Sequence, residues 1–182
     1  MKKIILGIAG EIAGGKGAMT KYIVEKFDGT SLRFSTMLRD ILDRLYFEQS
    51  RDNMQKLSTS LRSVFGEDLL AKVMADDVRK NDANIIVIDG VRRIDDIKYL
   101  KEIPYFKLVY VDTNMKKRYE RIVGRGENSD DNQKTFEQFQ IDHEKETELQ
   151  IKGLKNEADF VVDNNGSLEE FYTQIDNIIK KD

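Results

Sequence analysis

A glycine cluster near the start of the chain constrains the fold more than any other feature. Five of the twelve glycines fall within the first seventeen residues, and the segment Gly10–Gly17 reads Gly-Glu-Ile-Ala-Gly-Gly-Lys-Gly. An apolar run, Lys3–Ala9, precedes this segment, and a stretch with helical spacing, Lys16–Phe27, follows it. A glycine-rich turn that leads from a buried strand into a helix is typical of α/β folds with a parallel sheet.

The spacing of this segment fits the pattern G-x-x-x-x-G-K, which forms phosphate-binding loops between a strand and a helix. Glycines let the backbone N–H groups approach a polyphosphate closely, and the helix presents its positive N-terminus to the same anion. The alternative is an ordinary glycine-rich turn. We predict that the loop binds ATP and that Lys16 reaches the β- and γ-phosphates. The residues expected to contact the nucleotide here are Gly10, Ala13, Gly14, Gly15, Lys16, Gly17 and Ala18.

The loop lacks the Ser or Thr that usually follows the lysine, because Gly17 occupies that position. That hydroxyl normally binds Mg²⁺, so the metal needs another partner: water, Asp89, or Thr20 one turn further along. Asp89 ends the apolar run Ile85–Asp89, and the carboxyl ends of parallel strands lie at one edge of a sheet. The alternative is that Asp89 only forms a turn with Gly90.

Arginines occur at three further places where a phosphate could bind. Arg92 and Arg93 follow Asp89, and Arg39 lies one turn into a predicted helix. Guanidinium groups bind phosphate bidentately, so we predict that these three arginines hold a phosphorylated acceptor. The alternative is that they form surface ion pairs, such as one with Asp95 or Asp96. Arg118, Arg121 and Arg125 share a helix face, and we predict that Arg121 and Arg125 neutralise charge during phosphoryl transfer.

Continuous apolar runs predict strands that are buried on both faces, and helical patterns lie between them. This alternation predicts a three-layer α/β/α sandwich with a parallel sheet of about five strands. We expect a single domain over residues 1–182, with a helical acceptor region near 35–80 and a lid near 125–150. Ser167 and Glu170 predict a capping box at the last helix. The predicted strands are Lys3–Ala9, Thr30–Phe34, Ile85–Asp89, Phe106–Asp112 and Phe160–Val162. The predicted helices are Lys16–Phe27, Thr36–Glu48, Asp52–Val64, Asp68–Lys80, Ile94–Lys101, Asn114–Gly124, Thr135–Gly153 and Ser167–Lys181.

Composition excludes several other chemistries. The 182 residues include no cysteine and a single histidine, His143, which excludes disulfides, thiolate metal sites and multi-histidine centres. The net charge of −3 argues against a nucleic-acid partner. No apolar run reaches the roughly 18 residues of a membrane span, so we expect no membrane partner and a cytoplasmic location. We expect a small-molecule nucleotide substrate and a monomer or homodimer.

Four segments together resemble adenylate-kinase-type nucleoside monophosphate kinases: Gly10–Gly17, Ser35–Arg39, Asp89–Arg93 and Arg121–Arg125. In that family the matching arginines bind the acceptor phosphate and the transferring phosphates. The pair Lys16-Gly17 is similar to the family's G-K-G-T, with Ala18 in place of the threonine. The chain lacks the family's Gly-Asp after Ser-Thr and its Pro before the strand-end arginine, so the resemblance does not imply AMP specificity.

Two further resemblances extend over more of the chain. The segment Ala158–Glu170 is similar to the end of dephospho-CoA kinases, where it leads into the loop beside the adenine, which implies a nucleotide contact at Asn165. Nearly the whole chain resembles a group of small, mostly archaeal nucleotide-kinase-like proteins. The motifs in question are Leu61-Arg62, Phe65–Asp68, Asp-Gly-x-Arg, Arg125-Gly126 and Asn-x-Gly-Ser-Leu-Glu-Glu-Phe.

These resemblances imply a P-loop kinase fold that binds ATP with Mg²⁺ and phosphorylates a nucleoside or deoxynucleoside monophosphate. Dephospho-CoA kinase is the nearest alternative, but its hydroxyl acceptor needs a base, and the loop offers Glu11 where an Asp is expected. A nucleotide-binding regulatory NTPase switch without an acceptor is an alternative of another class. Such a switch has no need of Arg39, Arg92 and Arg93.

Overall fold

The computed structural model of the protein describes residues 3–125, 135–142 and 146–181. Its strands are β1 (Ile4–Ala9), β2 (Thr30–Arg33), β3 (Ile85–Asp89), β4 (Phe106–Asp112) and β5 (Phe160–Asp163). Its helices are α1 (Lys16–Phe27), α2 (Phe34–Arg44), α3 (Arg51–Phe65), α4 (Leu69–Lys80), α5 (Ile94–Ile97), α6 (Met115–Arg125), α7 (Phe136–Asp142), α8 (Glu146–Glu157) and α9 (Leu168–Lys181). The five predicted strands are all present, and β3 and β4 have the predicted bounds.

The five strands form one sheet in the order β2-β3-β1-β4-β5, and every pair is parallel. Side chains of β1 alternate between its two faces: Ile5 and Ala9 join one buried cluster, and Ile4, Leu6 and Ile8 join the other. Helices cover both faces, which confirms the predicted three-layer α/β/α sandwich. All five carboxyl ends therefore lie along one edge, with the end of β1 at its centre.

Each face of the sheet has its own core. On one face α1 and α9 pack through Met19, Ile23, Phe171, Ile175 and Ile178. On the other face residues of α2, α4 and α8 are buried, among them Phe34, Leu38, Met74, Val78, Ile151 and Leu154. Burying such side chains stabilises the fold by about 1.5–3 kcal/mol each. Among the described residues, no helix has both the length and the apolar character that a membrane span requires.

Helix α2 ends four residues before the predicted Glu48. Tyr46 has a φ of +60°, and its N–H donates to the carbonyl oxygen of Asp43 at 3.1 Å. The N–H of Phe47 reaches back to the oxygen of Leu42 at 2.9 Å. This pair of hydrogen bonds is the Schellman pattern that ends helices, and it commonly has glycine at the left-handed position. Tyrosine, unlike glycine, does not indicate the end of a helix in a sequence. The apolar residues at helical spacing therefore predicted a helix that is four residues too long at this end.

Two other predicted helices differ from the observed ones by more than one residue. Helix α5 ends at Ile97, four residues before the predicted Lys101. Turns follow it instead of further helix, and they bury Leu100 in the core. The predicted helix Thr135–Gly153 contains α7 and most of α8, which continues to Glu157. Residues 126–134 and 143–145 of the predicted lid, including His143, lie outside the described residues.

The capping box at the start of α9 is confirmed, and it makes the stability depend on pH. The N–H of Ser167 donates to the Glu170 carboxylate at 2.7 Å, and the N–H of Glu170 donates to the Ser167 hydroxyl at 3.2 Å. The hydrogen bonds from the backbone and hydroxyl of Ser167 lower the pKa of Glu170. A lowered carboxyl pKa adds stability above the unfolded-state pKa, and that stability is lost as the pH falls through the folded-state value.

We expect Glu170→Gln to destabilise the protein at pH 7 and to lose this effect in acid. The deficit relative to the wild type should shrink as the pH falls below about 4.3, the ordinary glutamate pKa. Urea unfolding at a series of pH values measures it. Glu169→Gln removes the same charge one residue earlier in the same first turn. An equal pH dependence in both variants would contradict the role of the capping box.

Candidate functional site

The glycine loop connects β1 to α1 at the carboxyl edge of the sheet, as predicted. Helix α1 begins at Lys16 with Gly15 as its N-cap, without a side-chain cap and without an acidic residue in its first turn. Gly17 and Ala18 in this first turn are exposed. The positive dipole end of α1 therefore begins without a capping or acidic side chain of its own, which is the arrangement that binds phosphate.

The loop backbone requires glycine at two positions. Gly15 has a φ of +104°, and a Cβ at this position would collide with Nδ2 of Asn164. Gly10 has a φ of +146°, and a Cβ there would lie 2.7 Å from the backbone oxygen of Val111. Ala13, between them, also has a left-handed φ of +57°, which is uncommon for a residue with a Cβ. By contrast, a Cβ at Gly17 would meet nothing within 4 Å.

Lys16 extends its side chain back across the loop. Its Nζ donates to the carbonyl oxygens of Gly10 at 2.6 Å and Glu11 at 2.9 Å. The ammonium group thus joins the end of the loop to its beginning. This places a positive charge directly at the segment that is predicted to surround the phosphates.

Donors from the ends of β4 and β5 hold the loop from outside. The carbonyl oxygen of Gly14 accepts hydrogen bonds from Oγ1 of Thr113 at 2.7 Å and from Nδ2 of Asn164 at 2.8 Å. Both donors are buried and come directly after their strands. Fixing one carbonyl from two strands leaves the peptide little freedom to rotate, so the loop is preorganised for its ligand.

Helix α6 contributes two arginines to the same loop. Arg118 is fully buried and forms an ion pair with Glu11 at 3.0 Å, while its Nε donates to the oxygen of Thr113 at 3.0 Å. Arg121 donates to the oxygen of Ala13 at 3.3 Å and to the backbone and side-chain oxygens of Asn164 at 3.2 and 3.3 Å. Burial lowers the pKa of Arg121 from its usual value. Arg121 therefore lies beside the loop, where the sequence analysis expects a charge-neutralising residue.

Asp89 ends β3 beside the loop strand and is paired with an arginine that the sequence analysis did not select. Arg33 Nε donates to Oδ2 of Asp89 at 3.0 Å. Thr20, the other predicted magnesium ligand, has a buried Oγ1 for which the described residues provide no hydrogen-bond partner. An unpartnered hydroxyl and a carboxylate are both oxygen donors that suit Mg²⁺.

The described residues contain no group of three or more His, Asp or Glu side chains placed to bind a metal. Mg²⁺ that is carried by a nucleotide uses one or two carboxylates together with phosphate oxygens and water. Asp89 and the unpartnered hydroxyl of Thr20 are oxygen donors that fit such an ion.

The three predicted acceptor arginines lie near the start of α2 and after β3. Gly90 packs against Phe34, the first residue of α2, so these two segments are adjacent. Arg39 donates to Oε1 of Gln49 at 2.8 Å. Arg92 is exposed. Nη1 of Arg93 donates to the carboxylate of Glu67 at 3.4 Å.

Asp96 organises the turn that carries Arg92 and Arg93. Its carboxylate accepts hydrogen bonds from the backbone N–H groups of both arginines, at 2.9 and 3.0 Å, and lies 3.6 Å from Nε of Arg93. Burial raises the pKa of Asp96. Arg93 thus has the ion pair with Asp96 that is the alternative to phosphate binding, while Arg92 is an exposed residue.

Two further predicted residues remain. Asn165 accepts a hydrogen bond from the N–H of Asn114 at 2.8 Å, and its backbone oxygen accepts one from Lys117. It therefore connects the end of β5 to the start of α6. Arg125 is the last residue of α6, and its side chain lies outside the described part of the structure.

The structure adds three residues that were not predicted from the sequence, Arg33, Thr113 and Asn164, and shows a role for Arg118, for which none was predicted. These three residues share one signal, because each lies at or directly after the carboxyl end of an observed strand and within two residues of the end of a predicted one. Arg118 shares a helix face with Arg121, but its complete burial could not be read from the spacing.

A central parallel strand that leads through a glycine loop into an uncapped helix, with an acid on the neighbouring strand, defines a P-loop kinase-type protein. The model of the family AAA_17, described as an AAA domain, matches residues 10–140. A UPF0200 protein of Staphylothermus marinus is 31% identical over 185 residues, which cover 100% of this chain and 94% of the relative. The chain therefore belongs to the AAA_17 family and, within the P-loop proteins, to UPF0200.

Other similar proteins agree with this assignment. A UPF0200 protein of Thermococcus kodakarensis is 28% identical over 181 residues, which cover 97% of this chain and 96% of the relative. The crystal structure of TT1252 from Thermus thermophilus superposes with a TM-score of 0.61 at 14% identity and covers 100% of this chain and 98% of its own. Shikimate kinase from Bacteroides thetaiotaomicron superposes with a TM-score of 0.55 at 11% identity, covering 98% and 97%. The fold and the archaeal resemblance predicted from the sequence are thereby confirmed.

The geometry predicts that the loop glycines differ in their tolerance of substitution. We expect Gly15→Ala to lower the free energy of unfolding by about 1–2 kcal/mol from backbone strain alone, and further through the collision with Asn164. Gly17→Ala is the matched control, because a Cβ there meets no atom within 4 Å. Thermal unfolding of both variants measures the difference, and equal midpoints would contradict the observed loop conformation.

The buried pair Glu11–Arg118 predicts a strong coupling in stability. We expect Arg118→Met to cost about 3–5 kcal/mol, because Glu11 would be left buried without its main partner. Glu11→Gln combined with Arg118→Met should recover part of this loss. Urea unfolding of the two single variants and the double variant gives the coupling energy, and additive losses would show that the pair does not act as a unit.

Proposed function

We propose that this protein is an ATP-dependent nucleotide kinase that transfers the γ-phosphoryl group to a nucleoside or deoxynucleoside monophosphate. The observation that carries this proposal is the open N-terminus of α1, where uncapped N–H groups and the Lys16 ammonium converge at the carboxyl edge of the sheet. An anion of high charge density, such as a triphosphate, is the ligand that this arrangement favours.

In this proposal each group around the loop has a separate role. Backbone N–H groups of Gly10–Ala18 surround the phosphates, and Lys16 neutralises charge on the transferring group. Asp89 and Thr20 would hold Mg²⁺, which when bound withdraws charge from the phosphate oxygens. Arg121 and Arg125 stabilise the charge that builds up during transfer, and Asn165 supports the adenine side of the site.

The acceptor side needs positive charge but no base. An oxygen of the acceptor phosphate is already anionic, so it can attack the γ-phosphorus while the bond to the β-phosphate oxygen breaks and ADP leaves. Arg39, Arg92 and Arg93 are the groups proposed to hold that phosphate. In the same proposal the helices near residues 35–80 form the acceptor region, and residues near 125–150 form a lid within one domain.

The position of Glu11 argues against the dephospho-CoA kinase alternative. A hydroxyl acceptor needs a general base within hydrogen-bond reach. The Glu11 carboxylate is buried in its ion pair with Arg118 and lies 3.9 Å from Nζ of Lys152. Two cationic partners already engage this carboxylate, so Glu11 is poorly placed to accept a proton from a substrate.

The proposal predicts ADP production that depends on a phosphorylated acceptor. The protein is incubated with ATP, Mg²⁺ and each of the common ribo- and deoxyribonucleoside monophosphates, and separately with dephospho-CoA, and products are identified by mass spectrometry. We expect a nucleoside diphosphate from at least one monophosphate. ADP that forms equally without any acceptor would contradict the kinase and favour an NTPase switch.

Two lysine variants of α1 test whether this activity depends on the glycine loop. We expect Lys16→Met to lower turnover by about 100-fold or more, because a cation directed at the transferring phosphate is lost. Lys21→Met is the control, since Lys21 lies on the same helix in an exposed pair with Glu25 at 3.8 Å. An active Lys16→Met variant would exclude the glycine loop as the site of transfer.

A further inference from the structure

The ion pair between Arg33 and Asp89 joins the two halves of the proposed site. Arg33 is the last residue of β2, Asp89 is the last residue of β3, and the two are direct partners in the parallel ladder. Their side chains leave the same edge of the sheet and meet at 3.0 Å. Arg33 is also the N-cap of α2, the helix that carries Arg39.

The two partners of this pair differ in exposure. The side chain of Asp89 is 16% exposed, whereas that of Arg33 is 57% exposed. An ion pair with one partner in solvent contributes only about 0–1 kcal/mol, because water screens it and the arginine loses side-chain entropy. Asp89 can therefore exchange this partner at little cost in stability.

The carboxylate of Asp89 has two competing uses. It ends β3, a direct neighbour of the strand that leads into the loop, and fits Mg²⁺ as an oxygen ligand, but it is engaged by Arg33. A divalent ion that carries a nucleotide is a stronger partner for a carboxylate than one exposed guanidinium. Capture of Asp89 would leave the guanidinium of Arg33 without its anion.

Arg33 is well placed to bind a second anion when Asp89 is engaged. Gly90 packs against Phe34, so the start of α2 lies against the loop that leads to Arg92. The released guanidinium would therefore join Arg39 and Arg92 on the acceptor side of the sheet. Its planar set of five donors matches the geometry of a phosphate group.

We propose that Arg33 is a further acceptor-phosphate ligand, which Asp89 holds until magnesium-bound nucleotide engages that carboxylate. Binding of the nucleotide and binding of the acceptor then favour each other, as linkage requires of any coupling between two sites. This inference rests on the proposed kinase function and adds to it a residue that links the two subsites. The competing interpretation is a purely structural pair that ties the end of β2 to the end of β3.

Equilibrium binding to Arg33→Gln separates the two interpretations without measuring turnover. The first measurement is the affinity for Mg²⁺, obtained from its effect on the binding of a fluorescent ATP analogue. The second is calorimetric binding of inorganic phosphate to protein saturated with Mg²⁺ and a non-hydrolysable ATP analogue. Arg44→Gln removes the same charge from the exposed last turn of α2 and is the matched control.

We expect Arg33→Gln to bind Mg²⁺ about 2- to 5-fold more tightly, because the metal no longer displaces an arginine. The same variant should bind phosphate about 10-fold or more weakly, because a charged donor is lost. Arg44→Gln should change neither value. Arg33→Lys keeps the charge but not the planar donor set, and its phosphate affinity should lie between those of the wild type and Arg33→Gln.

Tighter Mg²⁺ binding together with weaker phosphate binding by Arg33→Gln is the result expected if Arg33 leaves Asp89 for the acceptor phosphate. Weaker or unchanged Mg²⁺ binding by Arg33→Gln would overturn it and favour a structural pair, as would unchanged phosphate binding. If wild-type protein bound magnesium and nucleotide but no phosphate at all, the acceptor site itself would be refuted together with the proposed function. Phosphate binding that is lost only in Arg33→Gln therefore supports the role of Arg33. Phosphate binding that is absent from the wild type as well would instead contradict the proposed kinase function.

Discussion

The site depends on the hydrogen bonds that hold the carbonyl oxygens of the glycine loop. Ala13 and Gly15 have left-handed backbone conformations, and such residues persist only where their surroundings determine them. Buried donors from the ends of β4 and β5 provide that constraint at Gly14, and Arg118 adds an ion pair with Glu11. The loop is thus shaped before any ligand arrives, because donors from the ends of β4 and β5 hold its carbonyl oxygen at Gly14.

The strand order explains why the nucleotide and acceptor sides meet at Asp89. The chain leaves β1 toward β3 and β2 on one side and later returns to β4 and β5 on the other. Ligands of open α/β sheets bind where the order reverses in this way. The groups that shape the loop come from β4, β5 and α6, whereas Arg33, Arg39 and Arg92 come from the β2–β3 side. Asp89 stands between the two groups, and its pair with Arg33 is the contact through which the two sides can influence each other.

Local sequence signals predicted most of the architecture. Continuous apolar runs identified the three central strands β1, β3 and β4, since a strand buried on both faces needs apolar side chains at nearly every position. The two edge strands, β2 and β5, were predicted as short segments and are less buried. The capping box at Ser167 and Glu170 was predictable because its partners are three residues apart. The end of α2 was not, because it depends on a left-handed Tyr46, a conformation that tyrosine rarely adopts. Arg33 and Asp89 are 56 residues apart, and only the pairing of β2 with β3 makes them neighbours.

By itself, the sequence determined the glycine loop, the sheet that carries it and the presence of arginines and carboxylates suited to phosphate chemistry. These properties follow from backbone freedom and from the periodicity of apolar residues, which act over a few positions along the chain. The tertiary structure decided which side chains shape the loop and which partner each charge has. Arg118 became a buried support, Arg93 an ion-paired residue and Asp89 the partner of Arg33, because strand order and helix packing bring together groups that are distant in sequence.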